Sequence, residues 1–320
     1  MHRCSARLPR NACRIPAMTA SSNTILLFGH SGQLGWDLRR ALAPLGDVVT
    51  AGVDGADRYV DLTDSEALDE LVHEIRPVLM VNATAYTAVD KAESEESLAF
   101  QINAEAVGQM GRLGAELDIP VLHFSTDYVF SGNGNRPWKE NDPPDPQSVY
   151  GRSKLVGEQA LLASRAQSLI LRTAWVYGAK GRNFLLTMLR LFAEKDQLGV
   201  VADQFGAPTW SRLLAEAAAQ VLAQCRTPEG RFSFGMHDGE IFHLTAAGEA
   251  SWHEFAQAIL EQSDETCVIN AISTEQYPTP AARPAYSVLS NDSLWEAFGV
   301  RLPHWRQGLA LCMEDLFDKR

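Results

Sequence analysis

The sequence predicts an α/β protein: a doubly wound, parallel sheet covered by helices on both faces, with a smaller mixed α/β lobe attached. Three observations carry this. Apolar strand-like runs alternate with helix-length amphipathic stretches from residue 24 to about residue 173, the pattern of a parallel sheet built from strand–helix–strand units. A glycine turn, "GHSGQLG" from Gly29 to Gly35, joins the first strand to the first helix. Beyond residue 173 the alternation weakens into shorter strands, loops and helices.

In order, "NTILLFGH" holds a short buried strand, and "GQLGWDLRRALAPLG" a helix in which Leu34, Leu38 and Leu42 recur on one side. Strand "DVVTA", a helix opening after Asp64 and strand "VLMVNAT" follow. Next come a single long helix from about Ser97 to Leu117 and strand "VLHFST". The stretch "SGNGNRPWKENDPPDPQS" is dense in Gly, Pro, Asn and Asp, so it is a loop at the sheet's ligand-bearing edge. It delivers the chain to a helix opened near Tyr150 and to strand "SLILRT". Afterwards "NFLLTMLRLFAE" is a helix, "LGVVADQFGAPTW" a strand and loop, and "GEIFHLTA" a strand. In "SWHE", Ser251 and Glu254 form a capping box for the helix "FAQAILEQ".

This divides the chain into a disordered extension at 1–22, a dinucleotide-binding core at 23–173, and a region at 174–320. That last region is mainly a substrate lobe, with some segments returning to the core. The extension carries four arginines and no acidic residue, like a transit segment, yet Met18 offers a second start. With 46% hydrophobic residues, 320 residues supply one large core and a satellite. A net charge of -12 excludes the concentrated basic surface that nucleic acid or an anionic membrane requires. Five cysteines, Cys4, Cys13, Cys225, Cys267 and Cys312, show no C-x-x-C spacing, which fits a reducing, cytoplasmic setting.

Gly29, Gly32 and Gly35 allow a tight turn and close backbone approach, and the helix that follows presents free N–H groups to a pyrophosphate. At the end of the second strand an acidic residue selects NAD and a basic one NADP. Asp54 and Arg58 leave that choice open, and Asp61 with Leu62 borders the adenine unless Asp61 is a solvated turn residue. Ala83, Ala85, Tyr86 and Thr87 line the cofactor cleft after the third strand, with Asp90 and Lys91 as solvated charges. Ser125, Thr126, Asp127 and Tyr128 close the next strand, where hydroxyls either cap a turn or bond a reacting oxygen. Only Tyr150 among the tyrosines has a lysine at +4, Lys154. A phenol ionises near pH 10, so a neighbouring ammonium and a cationic nicotinamide are expected to favour the phenolate and make Tyr150 a proton carrier, with Tyr150 and Lys154 at the cofactor and Lys154 also bonding the nicotinamide ribose.

The motifs "GHSGQLG", "NATAYTAVDKAE", "STDYVFSG", "YGRSK", "LRTAWVYG", "DQFGAPT" and "PTPAARPAYSVL" resemble, in order and spacing, the extended short-chain dehydrogenase/reductase superfamily. More narrowly, they resemble its dTDP-4-dehydrorhamnose reductase branch. The resemblance runs from about Asn23 to the carboxyl end. It implies a Rossmann core and reduction of the 4-keto group of dTDP-4-dehydro-L-rhamnose with NADPH or NADH. Tyr150 is then the proton donor, Lys154 its helper, and Thr126 the group that tunes proton transfer. By the same resemblance Gly32, Gln33 and Leu34 touch the cofactor phosphates and Ala85, Tyr86 and Thr87 lie further along it. Thr126, Asp127 and Trp175 meet the sugar nucleotide, and Arg283 pairs either with its diphosphate or with a structural carboxylate. Two departures matter. Gly52 stands where an acidic residue is usual, leaning the cofactor toward NADPH. Arg212 stands near the position of an acidic residue that helps hold magnesium at a dimer contact, so no metal ligand is assigned. A homodimer is a further implication. The competing readings are another nucleotide-sugar epimerase or dehydratase, and a non-catalytic regulatory subunit of the same branch.

Overall fold

The apolar runs become strands buried on both sides in the computed structural model, which describes residues 23–317. The expected disordered extension at 1–22 lies outside the described residues. The first half runs β1 (Thr24–Phe28), α1 (Gln33–Ala41), β2 (Asp47–Gly52), β3 (Arg58–Tyr59), α2 (Ser65–Ile75), β4 (Leu79–Asn82), α3 (Val89–Ala92), α4 (Glu96–Phe100), α5 (Ala106–Leu117), β5 (Val121–Thr126), α6 (Val149–Ala163) and β6 (Ser168–Thr173). The second half runs β7 (Val176–Tyr177), α7 (Phe184–Glu194), β8 (Gln197–Val201), β9 (Phe205–Gly206), β10 (Thr209–Trp210) and α8 (Ser211–Gln224). After these come β11 (Glu240–His243), β12 (Ala250–Ser251), α9 (Trp252–Leu260), β13 (Val268–Ile272), α10 (Asp292–Phe298) and α11 (Trp305–Phe317).

Seven strands form one parallel sheet in the order β11-β6-β5-β4-β1-β2-β3. Strand order reverses on either side of β1, and the crevice at such a switch point is where ligands gather in these sheets. Alternate residues serve opposite faces. Ile25, Leu27, Val81, Leu122 and Leu169 pack with α1 and α8, while Leu26, Phe28, Met80, Val121 and Ile170 pack with α2, α5 and α6. That two-sided burial is why the strands read as unbroken apolar runs. Segments beyond 173 complete this layer: β11 pairs along β6, from Glu240 opposite Leu169 to His243 opposite Arg172, and α8 covers α1. A separate cluster around Tyr177, Leu185, Phe255, Trp305 and Leu309 fills the smaller lobe.

Local signals act as their chemistry dictates. Asp64 caps α2 by accepting from the N–H groups of Glu66 and Ala67, both at 3.1 Å. The capping box holds: Glu254 N–H donates to Ser251 Oγ at 3.1 Å, and Ser251 N–H to Glu254 Oε2 at 2.7 Å. The single helix expected from Ser97 to Leu117 is broken instead by a π-helical turn, Gln101–Glu105, between α4 and α5. Its cause is a close approach. A Cβ on Gly157 of α6 would lie 2.0 Å from Asn103 O, so the two backbones touch, and the wider turn directs Asn103 inward.

Candidate active site

The glycine turn is packed to the limit that hydrogen allows. Gly29 has φ 84°, and a Cβ there would lie 2.8 Å from the Ala83 carbonyl; one on Gly35 would lie 2.0 Å from Gly29 O. Gly32 caps α1 with no side-chain acceptor, and the first turn carries no acidic residue, so its N–H groups are left to an outside anion. Beside the turn, buried His30 has no partner for Nδ1 among the described residues, and its ring lies in van der Waals reach of Gly52, where a Cβ would stand 3.6 Å from it. These residues fit a dinucleotide: a self-packed glycine cradle, an open helix start and an unpaired donor or acceptor at the end of β2. His30 escaped the sequence reading because its position inside the turn says nothing of which strand end it faces.

Other residues expected along the cofactor divide by environment. Gln33 Oε1 accepts from Asn183 Nδ2 at 2.8 Å, linking α1 to the cap of α7 in the smaller lobe. Leu34 and Ala83 pack partly against one sheet face and Leu62 against the other, so their side chains serve the core. Asp61 Oδ1 accepts from Thr63 N and Thr63 Oγ1, each at 2.9 Å, which is the turn alternative. Arg58 is ion-paired with Glu74. Ala85 is half-buried and Thr87 exposed. Tyr86 donates its hydroxyl to Glu95, and its backbone is clasped by Asn103, which accepts from Tyr86 N at 2.8 Å and donates to Tyr86 O at 3.2 Å.

At the carboxyl end of β5, Thr126 Oγ1 donates to Asp127 Oδ1 at 3.0 Å and accepts from Tyr128 N at 3.2 Å. The Tyr150 backbone is held beside it: Ser148 caps α6, and Asn103 Nδ2 donates to Ser153 Oγ at 2.9 Å, which in turn donates to the Tyr150 backbone carbonyl at 2.9 Å. Burial pushes the phenol up to about 12, and the Thr126 hydroxyl tempers the rise. Lys154 is 1% exposed and turns toward β5, donating to Phe124 O at 2.7 Å and meeting His123 Nε2 at 3.1 Å. Burial pulls it down to about 8. At that value Lys154 still carries its proton at neutral pH, while its ammonium turns to the Phe124 carbonyl and the His123 ring. Asn82, Asn103 and His123 were missed. Their signal was a polar residue inside an otherwise apolar strand or helix.

Asp127 is 2% exposed, burial pushes it up to about 6 against the Ser287 and Thr126 hydroxyls that hold it down, and among the described residues no hydrogen bond of good geometry reaches its Oδ2. Trp175 adopts φ 48°, a conformation costing on the order of 1–3 kcal/mol for such a side chain, and its ring stacks on Trp252 with centroids 3.4 Å apart. Gly206 lies against the other parts of that ring, where a Cβ would meet Cε2 at 2.3 Å. Arg283 Nη2 is 2.9 Å from Asp90 Oδ2, so the structural ion pair is formed and Asp90 is not simply a solvated charge. Near "GAPT", Arg212 donates to Asp315 Oδ2 at 2.8 Å and Glu216 Oε1 at 3.2 Å. The single guanidinium offsets one of these two negative charges. Among the described residues no helix is long and apolar enough to cross a membrane.

Known proteins share this arrangement over nearly its whole length. The family model described as the RmlD substrate binding domain matches residues 23–317. A dTDP-4-dehydrorhamnose reductase of Burkholderia thailandensis is 44% identical over 305 residues, covering 92% of this chain and 99% of the relative. The structure of a dTDP-4-dehydrorhamnose reductase from Clostridium acetobutylicum superposes with TM-score 0.82 at 34% identity, covering 92% of this chain and 99% of that one. One from Bacillus anthracis, solved in complex with NADP, gives TM-score 0.82 at 30% identity, covering 93% and 99%. Sequence and architecture agree over nearly the whole chain, and the chain belongs to the dTDP-4-dehydrorhamnose reductase family.

Proposed function

We propose that this chain reduces the 4-keto group of dTDP-4-dehydro-L-rhamnose to dTDP-L-rhamnose, taking hydride from NADPH and a proton from Tyr150. Family membership supports the substrate, and the relative solved with NADP supports the cofactor. The observation that carries the chemistry is the meeting of Thr126 and Tyr150 at the carboxyl end of β5, with the Tyr150 hydroxyl raised and therefore protonated at neutral pH.

When bound, the reduced nicotinamide supplies the hydride. The protein's residues do the rest. Gly29, Gly32 and Gly35 would admit a pyrophosphate at the start of α1, and His30 with Gly52 would offer a hydrogen-bonding group to the adenosine end of the dinucleotide. Thr126 and Tyr150 hydrogen-bond the carbonyl oxygen, and as negative charge develops there the phenol proton moves to it, an alkoxide being a stronger base than a phenolate. Asp127 Oδ2 accepts from a sugar hydroxyl, and the Trp175–Trp252 stack forms an apolar wall for the deoxysugar. Arg283 reaches the diphosphate only by loosening its hold on Asp90. Residues 23–173 carry the cofactor and most of 174–320 the substrate. A homodimer is the assembly this reading carries, and sedimentation velocity tests it.

The experiment is Tyr150→Phe with the authentic keto sugar. Oxidation of NADPH should slow by about 10²–10⁴-fold while dinucleotide affinity, read by fluorescence titration, stays near wild type. Unchanged turnover would remove Tyr150 from the mechanism.

A further inference from the structure

We propose that Trp252 is a positioning residue for the sugar: it fixes the attitude of the Trp175 ring, so that affinity for the keto sugar depends on a side chain of the smaller lobe. The inference deepens, and rests on, the reductase reading above. It follows from the way the two indoles are held.

Trp175 stands just beyond the carboxyl end of β6, whose Thr173 lies opposite Thr126 at the end of β5. Its backbone is strained at φ 48°, and its carbonyl accepts from Thr209 N at 3.1 Å. A bulky residue keeps such a conformation only where its surroundings allow no other. Here the ring is gripped from two sides of the lobe. Trp252 lies along it, with centroids 3.4 Å and planes 2° apart. Gly206 of β9 comes so near that a Cβ would meet Nε1 at 2.4 Å and Cζ2 at 2.8 Å.

Directly superposed rings are not the arrangement aromatic quadrupoles prefer, since offset and edge contacts suit them better. The overlap is therefore imposed by the frame that carries Trp252. This residue opens α9 behind the Ser251–Glu254 capping box, and the strand before it pairs with β9, Ala250 opposite Gly206 and Ser251 opposite Phe205. Phe184 of α7 packs against it, with centroids 4.7 Å apart. The same β9 leads toward Asp127: Phe205 O accepts from Ser287 N at 2.8 Å, and the Ser287 hydroxyl is among those that hold Asp127 down. Wall and acceptor are mounted on one strand pair.

A stack that served packing alone would lie inside the lobe. Tyr177, Phe255 and Trp305, which do so, are 2% exposed or less. Trp175 and Trp252 are only half-buried, at the rim of that core, and leave aromatic surface to a ligand. The chemistry that surface suits is the C–H face and methyl group of a deoxysugar. Without Trp252 the strained Trp175 is free to relax, and the sugar loses its wall while the glycine turn stays as it was.

Fluorine NMR on wild-type protein labelled with fluorotryptophan reads the stack directly. The Trp252 resonance, assigned by its loss in Trp252→Phe, should move when dTDP-L-rhamnose is added. That of Trp295, which lies on α10 under Arg301, should stay. A Trp252 resonance unmoved at saturation overturns the proposal. Kinetics supply a second arm. Trp252→Leu keeps apolar bulk without a plane, and should raise KM for the keto sugar about tenfold with kcat within about threefold of wild type and NADPH affinity unaltered. Trp252→Phe, which keeps a flat ring, should recover most of that loss. An unchanged KM in folded Trp252→Leu overturns the proposal, as does an equal loss of NADPH affinity, the mark of general loosening. Should that variant fail to fold, the wild-type fluorine titration decides. Wild-type protein that shows the Trp252 shift but oxidises no NADPH with the keto sugar would sink the reductase reading and leave the positioning of the sugar standing.

Discussion

Asp127 shows how one buried carboxylate can make affinity depend on pH. Burial raises it to about 6 against the Ser287 and Thr126 hydroxyls; Oδ1 accepts from Thr126, and among the described residues no bond of good geometry reaches Oδ2. The charged form is the better acceptor for a sugar hydroxyl, and it is lost as pH falls through that value. The KM for the keto sugar in wild type should therefore rise below about pH 6, whereas Asp127→Asn should be weaker at neutral pH and nearly flat across the same range. A wild-type KM that does not vary there would remove Asp127 from substrate binding. Residue identity was legible where a motif fixed it: Thr126 and Tyr150 lie side by side as the order of strand and helix required. The partners of Lys154 were not legible, because Asn82, His123 and Lys154 come from β4, β5 and α6 and meet only after the sheet has formed.

Helix α6 carries both Tyr150 and Lys154, and two contacts fix its place. One is Gly157 against Asn103 O in the π-helical turn. Gly157→Ala should push the helix outward, because backbone on both sides cannot yield. We expect a loss of about 1–3 kcal/mol by denaturant unfolding and about 10²-fold in turnover from the displaced phenol. The other is the Glu158–Arg172 pair, with exposures of 1% and 3%. Glu158→Gln leaves a buried guanidinium without its counter-charge and should cost about 3–5 kcal/mol in the same measurement. Strands and caps at this scale were readable because burial on two faces and Ser, Asp or Asn at a helix start leave local traces. The broken helix between Glu96 and Leu117 was not, since its cause sits on α6, some fifty residues later in the chain.

At the scale of the whole molecule, Arg212 ties α8 to α11. Its bonds to Asp315 and Glu216 supply one positive charge to these two carboxylates from within the chain. Ketone reduction should accordingly be indifferent to EDTA, and a severalfold loss restored by magnesium would show that the pair yields to an ion. The parts also interlock more than a division at residue 173 suggests. Gln33 is tied to Asn183, Trp138 of the proline-rich loop donates to Tyr286 O at 3.0 Å, and β11 forms an edge of the main sheet. That last feature governs how the protein can be made. While a ribosome is still translating, β6 has no neighbour on one side and α1 no cover until α8 and β11 have cleared the exit tunnel. The nascent enzyme must wait, half-assembled and in need of protection from self-association, for about three quarters of its length to appear.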